Sequence, residues 1–233
     1  MAARVADAAK AIEARLGHRF ADRRLLTEAL THSSAIARGR GRRSNERLEF
    51  LGDRVLGLVI ADLLLARYPA EGEGDLSRRY AALVRRETLA EVAADLGAAP
   101  WLVVGRSEEE AGGRSNPALL ANVVEALIGA LYLDAGLEAA ERFIRQHWLA
   151  RLQSMPVPPR DAKTALQEWA QSRGLGLPAY TVAAVAGPAH APRFDVSVAL
   201  PGFEPGHAIA GSKRAAEQAA AEQLLARLEA AHA

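Results

Sequence analysis

Cysteine is missing from this 233-residue chain, which excludes a disulfide framework and thiolate metal sites and suits a reducing cytoplasm. Any metal must therefore be held by oxygen or histidine. The histidines, His18, His32, His147, His190, His207 and His232, are scattered along the sequence, and His32 is expected to pack structurally in the first domain. No signal peptide is evident, because residues 1–16 form an Ala-rich stretch interrupted by Arg4, Asp7, Lys10, Glu13 and Arg15. The longest apolar run, Val55 to Ala66, is broken by Asp62 and is too short to span a bilayer. An excess of one charge is lacking as well. The formal net charge is +1, so any binding to nucleic acid must come from local placement of charge. These absences together point to a cytoplasmic protein with no membrane association.

What is present is enough apolar surface for real cores, with 50% hydrophobic residues, in one large domain or two smaller ones. Up to residue 152 the apolar positions recur at three and four spacing, with stops at Gly17, Gly97, Gly105, Gly112-Gly113 and Gly136. That pattern predicts an all-α domain over residues 1–152. A proline-rich stretch, Met155-Pro-Val-Pro-Pro-Arg-Asp161, supplies a short semi-rigid linker placed at residues 153–160. Beyond it, residues 161–230 read as a small α+β domain in the order α-β-β-β-α. Helices are expected over Lys163 to Arg173 and Ser212 to Ala230, and strands over Tyr180 to Ala186, Arg193 to Leu200 and His207 to Ala210. An antiparallel sheet with both helices on one face would bury Leu166, Trp169, Val182, Phe194, Val196, Val198, Ala219 and Leu224.

The most informative segment is Asn45-Glu-Arg-Leu-Glu-Phe-Leu-Gly-Asp53. On a helix, Glu46, Glu49 and Asp53 fall within about 60° of one another, while Leu48, Leu51, Val55, Leu58 and Val59 form an opposite face to be buried. The ordinary reading is a solvated polar stripe facing outward. Two details weigh against it: Lys and Arg partners are nearly missing, although like charges at this spacing repel, and the large aromatic Phe50 sits among the acids. A carboxylate stripe of this kind suits a hard divalent cation. A second helix, Pro117 to Leu133, carries Asn122 and Glu125 on one face of an otherwise apolar sequence. They meet a partner there, or they lie on an exposed edge. Between the helices, Glu71-Gly-Glu73-Gly-Asp75-Leu-Ser77 reads as a flexible acidic loop in which Asp75 or Ser77 could cap the next helix.

Together with Thr31-His-Ser-Ser34, Glu73-Gly-Asp75-Leu-Ser77 and Val124-Glu-Ala-Leu-Ile-Gly129, the nine-residue segment closely resembles bacterial ribonuclease III. The C-terminal part is similar to the double-stranded-RNA-binding domain that follows the nuclease domain in that family. The resemblance implies a magnesium-dependent endonuclease, with manganese as an alternative ion, that hydrolyses phosphodiesters of double-stranded RNA to 5′-phosphate and 3′-hydroxyl ends. It implies work as a homodimer, with no organic cofactor, in ribosomal and other RNA processing. Glu49 and Glu125 match metal ligands, Asp53 and Glu125 match catalytic residues, and Glu46 and Glu73 match the outer acids. Asn122 stands where the family usually has an aspartate ligand; its amide oxygen can still coordinate, with one negative charge fewer. Phe50 is expected at the dimer interface. In the second domain, Gln167, Glu168 and His190 match minor-groove contacts, and Ser212, Lys213 and Arg214 match the phosphate clamp. Ala208 and Ala210 replace glycines that usually precede that clamp, which could stiffen the turn. The basic run Arg38-Gly-Arg40-Gly-Arg42-Arg43 could offset repulsion between site carboxylates and phosphates. The alternative function is a double-stranded-RNA-binding protein with weak or lost catalysis.

Overall fold

The structure is a computed structural model that describes residues 10–36, 43–159, 161–188 and 192–231. Two compact units divide the chain, Met1–Pro159 and Arg160–Ala233.

The first unit is helical, as its periodicity predicts. After α1 (helical over residues 10–16) come α2 (Arg23–Ala29), α3 (Glu46–Arg67), α4 (Glu73–Val84), α5 (Arg86–Leu96), α6 (Arg106–Glu110) and α7 (Pro117–Gln153). Asn116 caps α7 by accepting from the Ala118 N–H, and Pro117 takes the first helical position, where no N–H is needed. A break at Ala135 and Gly136, with φ of 76° at the glycine, ends the straight part of α7 close to where the sequence places its stop. Gly105 departs from its expected role, since it opens α6 as its N-cap. The acidic segment also departs from its expected form. Gly72, not Asp75 or Ser77, is the N-cap of α4, so Glu73 and Asp75 lie in its first turn, where the helix dipole favours anions.

Helices α3 and α7 form the centre of this unit, and two glycines let their backbones touch. A Cβ on Gly52 would lie 1.7 Å from the Glu125 carbonyl oxygen, and one on Gly129 would lie 2.3 Å from that of Leu48. Around this crossing Leu56, Ile60, Leu64, Leu127 and Ile128 are buried, each contributing about 1.5–3 kcal/mol of apolar transfer. By composition α7 is long and apolar enough to cross a membrane, yet its apolar residues Val124, Leu127 and Leu131 fill this core.

The contact rotates the buried face of α3 from the one read off the sequence. Leu58, expected inside, is 59% exposed, whereas Leu56, Ile60 and Leu63 are buried. Leu51 is only half-buried. Packing against α7 across Gly52 selects the side of the helix centred near that glycine. Glu49 borders this side, so it is half-buried rather than turned fully outward.

In the second unit α8 (Ala162–Gln171) precedes β1 (Ala179–Ala186), β2 (Arg193–Ala199), β3 (Gly206–Ala210) and α9 (Lys213–Ala231). Asp161 caps α8 by accepting from the Thr164 N–H at 2.9 Å. The antiparallel sheet has the order β1-β2-β3, with Val182 opposite Val196 and Val196 opposite Ala208. Leu166, Trp169, Val196, Val198 and Leu224 are buried as expected. Val182 is not: it is 37% exposed, because α9 lies against β2 and β3 and leaves the edge strand uncovered. Phe194 and Ala219 are half-buried. Ala208 and Ala210 sit inside β3, paired with Val196 and Phe194, so they do not occupy the turn that they were expected to stiffen.

Candidate active site

The α3–α7 crossing decides where the acids meet. Because Gly52 rests on the backbone at Glu125, the Glu49 side chain comes beside Asn122 and Glu125, near enough for the Asn122 amide to favour the Glu49 carboxylate. Partial burial pushes the Glu49 carboxyl above its ordinary range; the charge of Glu46 adds to this, while His32 and the Asn122 amide oppose it. Glu125 is pushed further, up to about 7, first by burial and then by the charge of Glu49, against a smaller pull from Arg54. Two oxygen acids that each resist ionisation, with an amide oxygen beside them, form a donor set suited to a hard divalent cation.

The remaining acids are arranged differently. Asp53 is 40% exposed at its side chain and is engaged by the neighbouring Arg54 guanidinium. Glu46 is exposed at the start of α3 and accepts from the Ser44 hydroxyl at 2.8 Å. Glu73, exposed at the start of α4, accepts from the Ser77 hydroxyl at 2.7 Å. It borders a cavity of about 350 Å³ with Ala61, Leu64, Leu65, Leu76 and Tyr80. Ala61 lies twelve positions along α3 from Glu49, roughly 18 Å at helical rise, so Glu73 is not part of the Glu49–Glu125 pair. Among the described residues no three Asp, Glu, His or Cys side chains converge. The third position of the tight group is the amide of Asn122.

His32, expected to have only a packing role, caps the short turn Ser33–Ala35 through Nδ1 and bears electrostatically on Glu49. Its segment is tied in place by the Asn45 N–H donating to the Thr31 carbonyl at 2.8 Å. Arg54 also escaped the sequence reading. Its guanidinium lies 5.1 Å from the centroid of the Phe50 ring and acts on Glu125; its place directly after Asp53 was the available signal. Phe50 itself is 67% exposed and shares the outer side of α3 with the exposed Leu58 and Leu65.

In the second unit, Gln167 and Glu168 are exposed on α8. Lys213 and Arg214 are exposed in the first turn of α9, where the helix dipole disfavours cations. Ser212 precedes that helix and caps it, accepting from the Ala215 N–H at 3.2 Å. Lys213 approaches Glu217 at 3.9 Å. His190 and Arg38, Arg40 and Arg42 lie outside the described residues. Arg43 is exposed and lines an open cavity of about 700 Å³ with Arg23, Arg24 and Thr31.

Comparison with known proteins follows the same division. Residues 22–152 match the family described as Ribonuclease-III-like, and residues 162–228 match the double-stranded RNA binding motif. Ribonuclease 3 of Azorhizobium caulinodans is 52% identical over 218 residues, covering 93% of each chain. Ribonuclease 3 of Dinoroseobacter shibae is 53% identical over 218 residues, covering 94% of each. The solved nuclease domain of ribonuclease III from Campylobacter jejuni superposes with a TM-score of 0.55 at 38% identity, spanning 60% of this chain and 97% of that one.

Fold and site therefore define a two-part RNA-processing hydrolase: a helical domain with a desolvated carboxylate pair, joined to an α-β-β-β-α module for duplex RNA. The chain belongs to the ribonuclease III family, whose members are endoribonucleases of double-stranded RNA that depend on a divalent metal.

Proposed function

We propose that Glu49, Asn122 and Glu125 hold magnesium in this endoribonuclease, with manganese able to substitute, and that Asp53 and Glu125 serve the hydrolysis directly. The observation that carries the proposal is the close α3–α7 crossing at Gly52, which brings the partly buried Glu49, Asn122 and Glu125 together. Two acids sharing a partly buried place repel one another, and a bound cation relieves that repulsion. When bound, a divalent ion supplies an activated water nucleophile and neutralises charge that develops on the phosphate. The chain's part is to present oxygen donors at fixed positions: Asn122 orients Glu49, and Arg54 keeps positive charge beside Asp53 and Glu125. Glu46 orders the outer end of the site. Products are 5′-phosphate and 3′-hydroxyl ends. The setting is the bacterial cytoplasm, and ribosomal and other structured precursors are the substrates.

The same reading assigns the apolar outer side of α3 to a homodimer. Phe50 of one protomer enters the cavity lined by Ala61, Leu64, Leu65, Leu76 and Tyr80 on the other, a contact made twice about a two-fold axis. Glu73 borders that cavity, so it would join the partner's Glu46 and Glu49, which accounts for its distance from the acids of its own chain.

Duplex RNA is gripped by shape and phosphate through Gln167, Glu168 and His190, with Lys213 and Arg214 at the start of α9 and Ser212 fixing that helix end. Binding and cutting then reside in separate domains. Glu125→Gln should hold a duplex hairpin with near-normal affinity and fail to cut it with magnesium. Lys213→Ala with Arg214→Ala should weaken binding and reduce its salt slope by about 1 per lost contact. Normal cleavage by the Glu125 variant removes the proposed ligand role.

A further inference from the structure

Among the described residues of the first unit, the most completely enclosed charge is not in the site. Arg79, on α4, is 0% exposed. Its guanidinium forms a two-pronged pair with Glu71, Nε to Oε2 at 2.8 Å and Nη2 to Oε1 at 2.7 Å, and lies 3.7 Å from the centroid of the Tyr68 ring. Its other donors leave the helical core. Nη1 donates to the Met155 carbonyl and Nη2 to that of Pro156 at 3.4 Å. The Tyr68 hydroxyl joins them, donating to the Leu152 and Met155 carbonyls at 3.2 and 3.3 Å. Pairing with Glu71 compensates the buried charge, but it does not require the two carbonyls beyond the end of α7. Those carbonyls begin the proline-rich segment that leads to the RNA-binding unit.

We propose that Arg79 is a positioning residue: with Tyr68 and Glu71 it pins Met155 and Pro156 to the nuclease unit, shortening the tether of the RNA-binding unit and limiting where on a duplex that unit can grip relative to the cut. This rests on the reading that both units engage one RNA. The effect on reach is large. From pinned Pro156 to Asp161, which caps α8, five Cα steps span at most about 17 Å; from the end of α7 at Gln153 the eight steps would span about 28 Å. Val157, the first residue past the pinned pair, is 71% exposed. The prolines at 156, 158 and 159 favour extended backbone, so residues 157–159 act as a short semi-rigid spacer. Because Arg79 lies on the helix that begins with Glu73, the tether is fastened to the same element that carries an outer acid.

The test uses the full chain. Arg79→Met keeps volume and leaves Glu71 partly in water, and Tyr68→Phe removes only the hydroxyl bonds. A third variant keeps Arg79 but carries three added Gly-Ser residues between Val157 and Pro158. Small-angle scattering of the RNA-free protein should show the maximum dimension growing by up to about 10 Å in Arg79→Met and in the insertion variant, with a smaller growth in Tyr68→Phe. Both larger changes should broaden the spacing of cuts on a long uniform duplex, while the melting temperature of Tyr68→Phe stays near that of the parent. If Arg79→Met does not fold, Tyr68→Phe and the insertion decide. If the Arg79 and Tyr68 variants keep the parental dimension and cut spacing while the insertion alters both, Arg79 is only a core ion pair. Scattering needs no turnover, so a failure of the proposed chemistry shows separately, as a parent protein that does not cut.

Discussion

Gly52 on α3 rests on the backbone of Glu125 on α7, so closely that a Cβ there would lie 1.7 Å from the Glu125 carbonyl oxygen. The missing methyl group here, with that of Gly129, lets the helices that carry the acids approach so closely. Gly52→Ala should force them apart, destabilise the domain by roughly 1–3 kcal/mol or more, as overpacking does, and sharply reduce cleavage. Thermal melts and hairpin cleavage check both. An alanine variant with parental melting and rate would mean that the contact is not needed.

Glu125 gives stability a pH dependence. Its carboxyl titrates near 7 in the folded protein against the ordinary 4.5, so folding favours its protonated form. The stability it contributes is complete below about pH 4.5 and is lost as pH rises through 7. The loss is on the order of 2 kcal/mol after allowing for screening at a partly exposed site. With metal chelated, the melting temperature of the parent should fall between pH 5 and 8 more steeply than that of Glu125→Gln. Parallel profiles would argue against the raised carboxyl.

Asn122 should act as a neutral member of the metal site. Asn122→Asp restores a negative charge and should lower the magnesium concentration for half-maximal cleavage, whereas Asn122→Ala should raise it. Three superimposable titrations on one RNA hairpin would place Asn122 outside the metal shell. Manganese should narrow the difference between parent and Asn122→Asp if the deficit is one of affinity.

Phe50, with 67% of its surface exposed, should be covered by a second copy. Phe50→Glu puts a charge into an apolar cavity and should shift the protein toward monomer in light scattering, with loss of cleavage. A bulky polar residue at Ala61, on the cavity wall, should do the same from the other side. A persistent, fully active dimer in both variants would assign the interface elsewhere.

Much of the architecture follows from local rules. Periodicity marks the helices of the first unit and alternation marks the strands of the second. Asp161 caps α8 and Ser212 caps α9 through short-range bonds that any chain with those residues can form. The carboxylate stripe of α3 and the Asn122–Glu125 pair of α7 are equally local, being spacings on single helices.

Local residue pattern thus dictates which elements form and which chemical groups they carry. Tertiary structure decided which groups meet. Helical spacing placed Leu58 on the inside and Glu49 on the outside, but the approach of α3 to α7 across Gly52 and Gly129 turned the helix, exposing Leu58 and half-burying Glu49. The same contact made Glu125 a desolvated neighbour of Glu49, and so raised its carboxyl. Sheet packing likewise left Val182 exposed although its cross-strand partner Val196 is buried. No sequence motif singles out Arg79; its enclosure by Tyr68, Glu71 and the carbonyls after α7 distinguishes it. Burial depends on what the rest of the chain brings to a side chain, and a carboxylate or guanidinium changes its energetics when it loses water.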